Sequence, residues 1–140
     1  MQRFKSRPQF QAALAGNLIA KSPHFALHRV ALESQANENR PGLFSVDDTW
    51  IGAMIPKRWA KRAVTRNAIK RQIYTVCTSL QHASPPFGSP AAFLVRLRRE
   101  FSRQAFSSAS SRVLKEAVRA ELLVLMQTAS TARPLQKFDA

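Results

Sequence analysis

Residues 57–71 hold seven lysines and arginines and no acid, and they run directly into an apolar stripe at helical spacing. Ile69, Ile73, Val76 and Leu80 are separated by +4, +3 and +4, which lays them along one side of a helix. Extended backwards, that stripe passes through Arg62 and close to Arg66. An unpaired guanidinium is costly in an apolar core. The first turns must therefore project past the core, or carry their charges outward on long aliphatic stems. The fold has to accommodate a helix that is half core and half cationic surface.

The rest of the chain sharpens the charge argument. Lys and Arg number 22 against 8 Asp and Glu, a formal net charge of +14. None of the acids lies between Asp48 and Glu100, where ten cations sit. A face built only for solubility mixes signs, so this segment reads as a surface for a polyanion, with nucleic acid first among the candidates. With 45% apolar residues the charge belongs to a folded protein. Its 140 residues suit one domain. A lone cysteine, Cys77, excludes an intramolecular disulfide and fits a reducing cytoplasm. No run reaches the ~18 apolar residues of a membrane span, so no membrane partner is expected.

Local patterns predict an α+β domain over 1–127, with 128–140 as a flexible tail. Residues 1–20 are basic and free of acids, but Gly16 and Asn17 break the apolar run and make it a poor secretory signal. A short helix is the better reading, with Ser6 and Pro8 at its start, Phe10 and Leu14 on one face and Gly16 at its stop. Residues 25–32 alternate as a strand, with Phe25 and Leu27 on one face and Ala26, His28 and Val30 on the other. Residues 34–42 read as a loop, while 43–46 and 50–55 are further strands about an Asp47-Asp48 turn; the three strands suit an antiparallel meander. The central helix follows Pro56, then a Pro- and Gly-containing linker over 84–90, and a strand over 92–97. A last helix runs over 108–126, with Leu114, Val118, Leu122 and Leu125 on one side. The expected order is αβββαβα, around a small sheet of about four strands.

Signs of catalytic chemistry are sparse. His24, His28 and His82 lack metal-ligand spacing, and Cys77 lies on the apolar side of its helix, where a plain core thiol is expected. The glycines are scattered and form no phosphate-cradling loop. Paired carboxylates are missing from the basic segment. No catalytic residue and no protein-held metal is therefore expected. What remains is the cationic stripe itself: Arg58, Arg62, Arg66 and Lys70 recur at i,i+4. Such cations repel one another, and guanidiniums grip phosphate oxygens bidentately. Asn67, among them, suits either a phosphate contact or a local backbone bond.

Two motifs then carry a resemblance. Ala63-Val64-Thr65-Arg66-Asn67-Ala68-Ile69-Lys70-Arg71 is similar to the signature helix of the protein component of bacterial ribonuclease P, and Ile51-Gly52-Ala53-Met54-Ile55-Pro56-Lys57-Arg58 resembles the strand before it. Phe10, Pro23-His24-Phe25 and residues 92–126 extend the likeness over about 120 residues. The resemblance implies a protein cofactor of a ribozyme that removes the 5′ leader of precursor tRNA, with hydrolysis by the RNA subunit and its Mg²⁺. It also implies a left-handed βαβ crossover, which connection rules alone would not suggest. By position, Lys57, Arg58, Lys61, Arg62, Arg66, Asn67, Lys70 and Arg71 are the expected contacts to the RNA subunit. Phe10, Leu14, Phe25 and His28 are the expected leader contacts, because flat side chains and positive charge hold an extended strand. Strand parity lets only one of Phe25 and His28 face that groove, and the family position selects His28, with Phe25 beneath the sheet. The chain departs from the family pattern at Ala68 (commonly Arg), at Tyr74-Thr75 (commonly Arg-Glu), and at Leu14 and His28 (commonly aromatic).

Other function classes fit less well. A general basic RNA-binding or ribosome-associated protein matches the composition but does not account for the Arg66-Asn67 and Lys70-Arg71 motif behind a Gly52 strand. A membrane-surface helix needs a broad apolar face opposite its cations, and Thr65, Ala68 and Gln72 interrupt it. A self-sufficient nuclease lacks its carboxylates.

Overall fold

The computed structural model describes residues 1–32, 44, 48–80, 91–101 and 112–131. The loop expected over 34–42, the strand over 43–46 apart from Phe44, the linker over 84–90, the helix start at 108–111 and the tail beyond 131 lie outside the described residues. The elements are β1 (Gln2–Arg3), α1 (Arg7–Leu14), β2 (Asn17–Lys21), β3 (Phe25–Val30), β4 (Trp50–Met54), α2 (Ala63–Leu80), β5 (Ala92–Leu97) and α3 (Arg112–Thr131).

Helix α1 starts where its sequence signals place it. The Gln9 side chain reaches back to accept from the Ser6 backbone N–H at 3.1 Å, and Pro occupies the first turn. The helix stops against β3: a Cβ on Gly16 would lie 2.6 Å from the Arg29 carbonyl oxygen, so only glycine allows this approach.

Five strands pair in the order β1-β4-β5-β3-β2. The expected meander does not form. β3 and β4 are not neighbours; each pairs with β5, β3 antiparallel and β4 parallel, and α2 makes the crossover from β4 to β5. The sheet is also wider than the four strands expected, because β1 and β2 add to its two edges. β2 carries a bulge between Leu18 and Ala20 that breaks the alternation a strand would show.

One sheet face packs under α2 and α3. Phe25, Leu27, Ile51, Phe93, Val95 and Leu97 meet Ile69, Ile73 and Val76 of α2 there, together with Leu114, Val118, Leu122 and Leu125 of α3. The helix stripes read from the sequence are thus core, apart from Leu80, which is only partly buried. α3 continues past its expected end: the Thr128 hydroxyl donates to the Val124 carbonyl at 2.9 Å, and Ala129 packs against the core. The opposite sheet face holds a smaller cluster of Phe4, Ala13, Phe44, Trp50, Ala92 and Leu94 beneath α1.

A partly buried carboxylate ties the β2–β3 turn to α3. Glu121 accepts from the Ser22 hydroxyl and from the His24 backbone N–H (2.7 Å), and it meets His24 Nδ1 at 2.7 Å. The His24 ring stacks on Phe101, with centroids 4.0 Å apart.

Candidate nucleic-acid interface

The cationic segment is built in two parts. Residues 56–60 fold into a tight turn, in which the Trp59 and Ala60 N–H groups donate to the Pro56 carbonyl at 3.0 and 3.2 Å. Burial of Ala60 and partial burial of Trp59 anchor this turn on the core, and Lys57, Arg58, Lys61 and Arg62 are left exposed. The Arg58 guanidinium lies over the Trp59 ring at 5.2 Å. α2 begins only at Ala63, so the expected i,i+4 stripe is helical from Arg66 onward and not from Arg58. Asn67, Lys70 and Arg71 are exposed on the helix.

Arg66 has a structural role beside the RNA contact its position suggests. Its Nη1 donates to the carbonyls of Ala60 at 3.0 Å and Lys61 at 2.8 Å, bracing the turn from which the neighbouring cations project. It is partly buried and structural as well as cationic. Ala68 is also buried, so the family's commoner arginine is replaced here on the packed flank of the helix.

Among the described residues no carboxylate pairs with the exposed cations of residues 57–71. Ion pairs among the described residues join the N-terminal ammonium to Asp48, His24 to Glu121 and Arg112 to Glu116. None involves a cation of the 57–71 segment.

The four expected leader contacts are not brought together. Phe10 is half-buried, its ring edge-on to Phe4 at 5.1 Å, and Leu14 is 42% exposed beside it on α1. Phe25 is 0% exposed in the core on the other sheet face, as parity required, and offers no ring to a ligand. His28 shares the α1-side parity but is only 6% exposed, so the expected open stacking ring is also absent. Arg96, whose own neighbour in register is Ala26, donates from Nε to His28 Nε2 at 3.4 Å. An arginine can only donate, so Nε2 is the acceptor and the neutral ring carries its proton on Nδ1. Burial first, then the Arg96 charge, holds the His28 pKa below the ordinary imidazole value, against a smaller opposing pull from the Gly16 backbone.

A family model for ribonuclease P matches residues 1–121. The chain belongs to the ribonuclease P protein family. The ribonuclease P protein component of Ralstonia pickettii is 32% identical over 133 residues, which are 95% of this chain and 81% of that relative. In fold, the chain is similar to the Staphylococcus aureus RNase P protein, with a TM-score of 0.64 over 95% of this chain and 99% of that one at 16% identity. The Thermotoga maritima RNase P protein gives 0.61 over 91% and 96% at 18% identity. As a ribonuclease P protein, the chain is a subunit of the endoribonuclease of tRNA processing.

Two groups in this ribonuclease P protein escaped the sequence reading. The first is a groove of about 710 Å³ on the flank of α2, lined by Arg3, Tyr74, Asn67, Lys70, Arg71 and Thr78 among others. Arg3 lies far from α2 in sequence and reaches it only because β1 pairs with β4. The second is an arginine group at the ends of β4 and β5, where Arg58 and Arg98 act electrostatically on Arg96. The ten-cation count included these three, but sequence distance hid their meeting. Burial pushes the Cys77 thiol up to about 12, which fits the inert core thiol expected. Among the described residues no group of three or more His, Cys, Asp or Glu side chains is placed to hold a metal, and no helix is long and apolar enough to cross a membrane.

Proposed function

We propose that this subunit works as a binding cofactor, holding the catalytic RNA subunit against its turn-and-helix cations and the 5′ leader of precursor tRNA along the α1 side of the sheet. One observation carries the reading. Lys57, Arg58, Lys61, Arg62, Lys70 and Arg71 project from a braced turn and a packed helix, and no carboxylate among the described residues neutralises them. Fixed cations spaced along a rigid element match a phosphate backbone, and their mutual repulsion is relieved when RNA replaces released counterions. Asn67, exposed among them, adds an uncharged donor and acceptor.

On the leader side, Phe10 and Leu14 of α1 supply the apolar wall and Arg96 the charge, in place of the expected Phe25 and His28. Mg²⁺ and the hydrolytic step are assigned to the RNA subunit. The protein's part is to position RNA. The test is cleavage of precursor tRNA by the cognate RNA subunit at low Mg²⁺, with and without the protein. Stimulation by the protein, with no cleavage by nuclease-treated protein alone, is expected. Equal rates with and without the protein would refute the reading.

A further inference from the structure

The α2 groove has a construction that the cationic turn lacks. The Arg3 guanidinium sits 4.1 Å from the Tyr74 ring centroid, and Tyr74 is half-buried against the core. The Arg3 backbone is fixed as well: it lies opposite Ile51 in the β1–β4 register, and on either side Gln2 and Phe4 donate to the carbonyls of Thr49 and Ile51 at 2.8 and 3.0 Å. A long exposed arginine is ordinarily mobile. Here the cation–π contact and the strand hold it as a flat, charged shelf. Along α2 from this shelf, Asn67, Lys70 and Arg71 line one end of the groove, and Thr78 lies beyond Tyr74. No acid lines it.

These groups match the parts of one nucleotide: a plane for a base, cations for a phosphate and hydroxyls for a ribose. A protein carboxylate would need only the cations and would leave the shelf unused. We propose that the groove is a subsite for one unpaired nucleotide of the RNA subunit, with its base on the outer face of Arg3 and its phosphate at Lys70 and Arg71. The assignment rests on the reading of α2 as an RNA face. It follows from continuity, because Lys70 and Arg71 belong both to that face and to the groove. Tyr74 stands where the family commonly has arginine, so the stacked pair is a feature of this chain.

The experiment titrates labelled oligoadenylate, and an abasic phosphoribose oligomer of equal length, against the full-length protein at fixed salt. Arg3→Lys keeps the charge and removes the plane. It should weaken oligoadenylate binding about tenfold, the lower part of what one base on a flat side chain supplies, and leave the abasic oligomer within twofold. Tyr74→Leu, which removes the support beneath the shelf, should do the same, with thermal melts confirming that both variants are folded. The RNA subunit should lose a similar factor with Arg3→Lys. Equal weakening of both oligomers, or of neither, overturns the shelf. A loss confined to precursor-tRNA binding by the assembled holoenzyme overturns the assignment to the RNA subunit. Lys70→Ala separates the two levels. If it weakens both oligomers while Arg3→Lys is silent, only the shelf falls. If it too is silent, the reading of α2 as an RNA face falls with it.

Discussion

Replacing Arg66 by alanine tests whether one side chain both braces the cationic turn and binds RNA. The substitution removes two charge-assisted hydrogen bonds to the Ala60 and Lys61 carbonyls. A hydrogen bond to a charged group is worth about 1.5–3 kcal/mol when buried. These carbonyls regain water, and one of the bonds is exposed, so the pair is discounted to about 1–2 kcal/mol. Alanine also returns a few tenths of a kcal/mol in helix propensity. For a chain of this size the net loss lowers Tm by roughly 3–8 °C. RNA-subunit affinity should fall further than the about 1–3 kcal/mol of one lost charged contact, because the turn carrying Lys57, Arg58, Lys61 and Arg62 loosens too. Arg62→Ala is the control: it is exposed, sits on the same turn and should lower affinity without moving the melt. The assays are thermal melts of the free protein and filter binding to the RNA subunit at fixed salt. An unchanged melt for Arg66→Ala, with a loss of affinity no larger than that of Arg62→Ala, would refute the bracing role.

The other predictions concern the frame. In Gly52→Ala the new Cβ meets the Phe4 ring at 2.3 Å, and displacing that ring from its cluster should cost about 1–3 kcal/mol, read as a lowered Tm. Glu121→Gln replaces the carboxylate that serves Ser22 and His24; it should cost about 2 kcal/mol in a urea melt, since the bonds weakened are charged and partly buried, with RNA affinity unchanged. For His28 the folded pKa lies below the unfolded one, so the unfolded state binds the extra proton. Stability should be full above about pH 6.5 and decline as pH falls from there toward the folded value; melts over pH 5–8 of wild type and His28→Leu check this, the variant losing that part of the slope.

The sequence made some of this architecture legible and hid the rest for physical reasons. The stripes of α2 and α3 and the parity of Phe25 and Leu27 were readable because each depends on local periodicity against one buried face. The start of α1 was readable because capping is local too. β2 was not: its bulge turns both Ile19 and Ala20 toward the same core, and a five-residue strand cannot show alternation through such a break. β1, with two residues, has no period at all. Strand order was hidden because β5, late in the chain, inserts between β3 and β4, two strands that precede it by about 40 residues or more. The cations of the candidate site were plain in the acid-free count, but not the recruitment of Arg66 to the backbone, the burial of His28 beside Arg96, or the meeting of Arg3 with Tyr74. Each of those depends on contacts between distant segments.

The central place of β5 has a consequence for synthesis. Until Leu97 has left the ribosome, β3 and β4 each present an unsatisfied edge to the other with nothing to fill the gap. The β2–β3 hairpin and the β1–β4 pair are then separate fragments, and a nascent chain ending before Ala92 cannot close its sheet. Closure requires long-range pairing, which is slow, and open strand edges invite pairing with other chains. The strand that completes this protein is thus among the later parts to be made, and for most of translation the fragments beside it are the ones most exposed to aggregation.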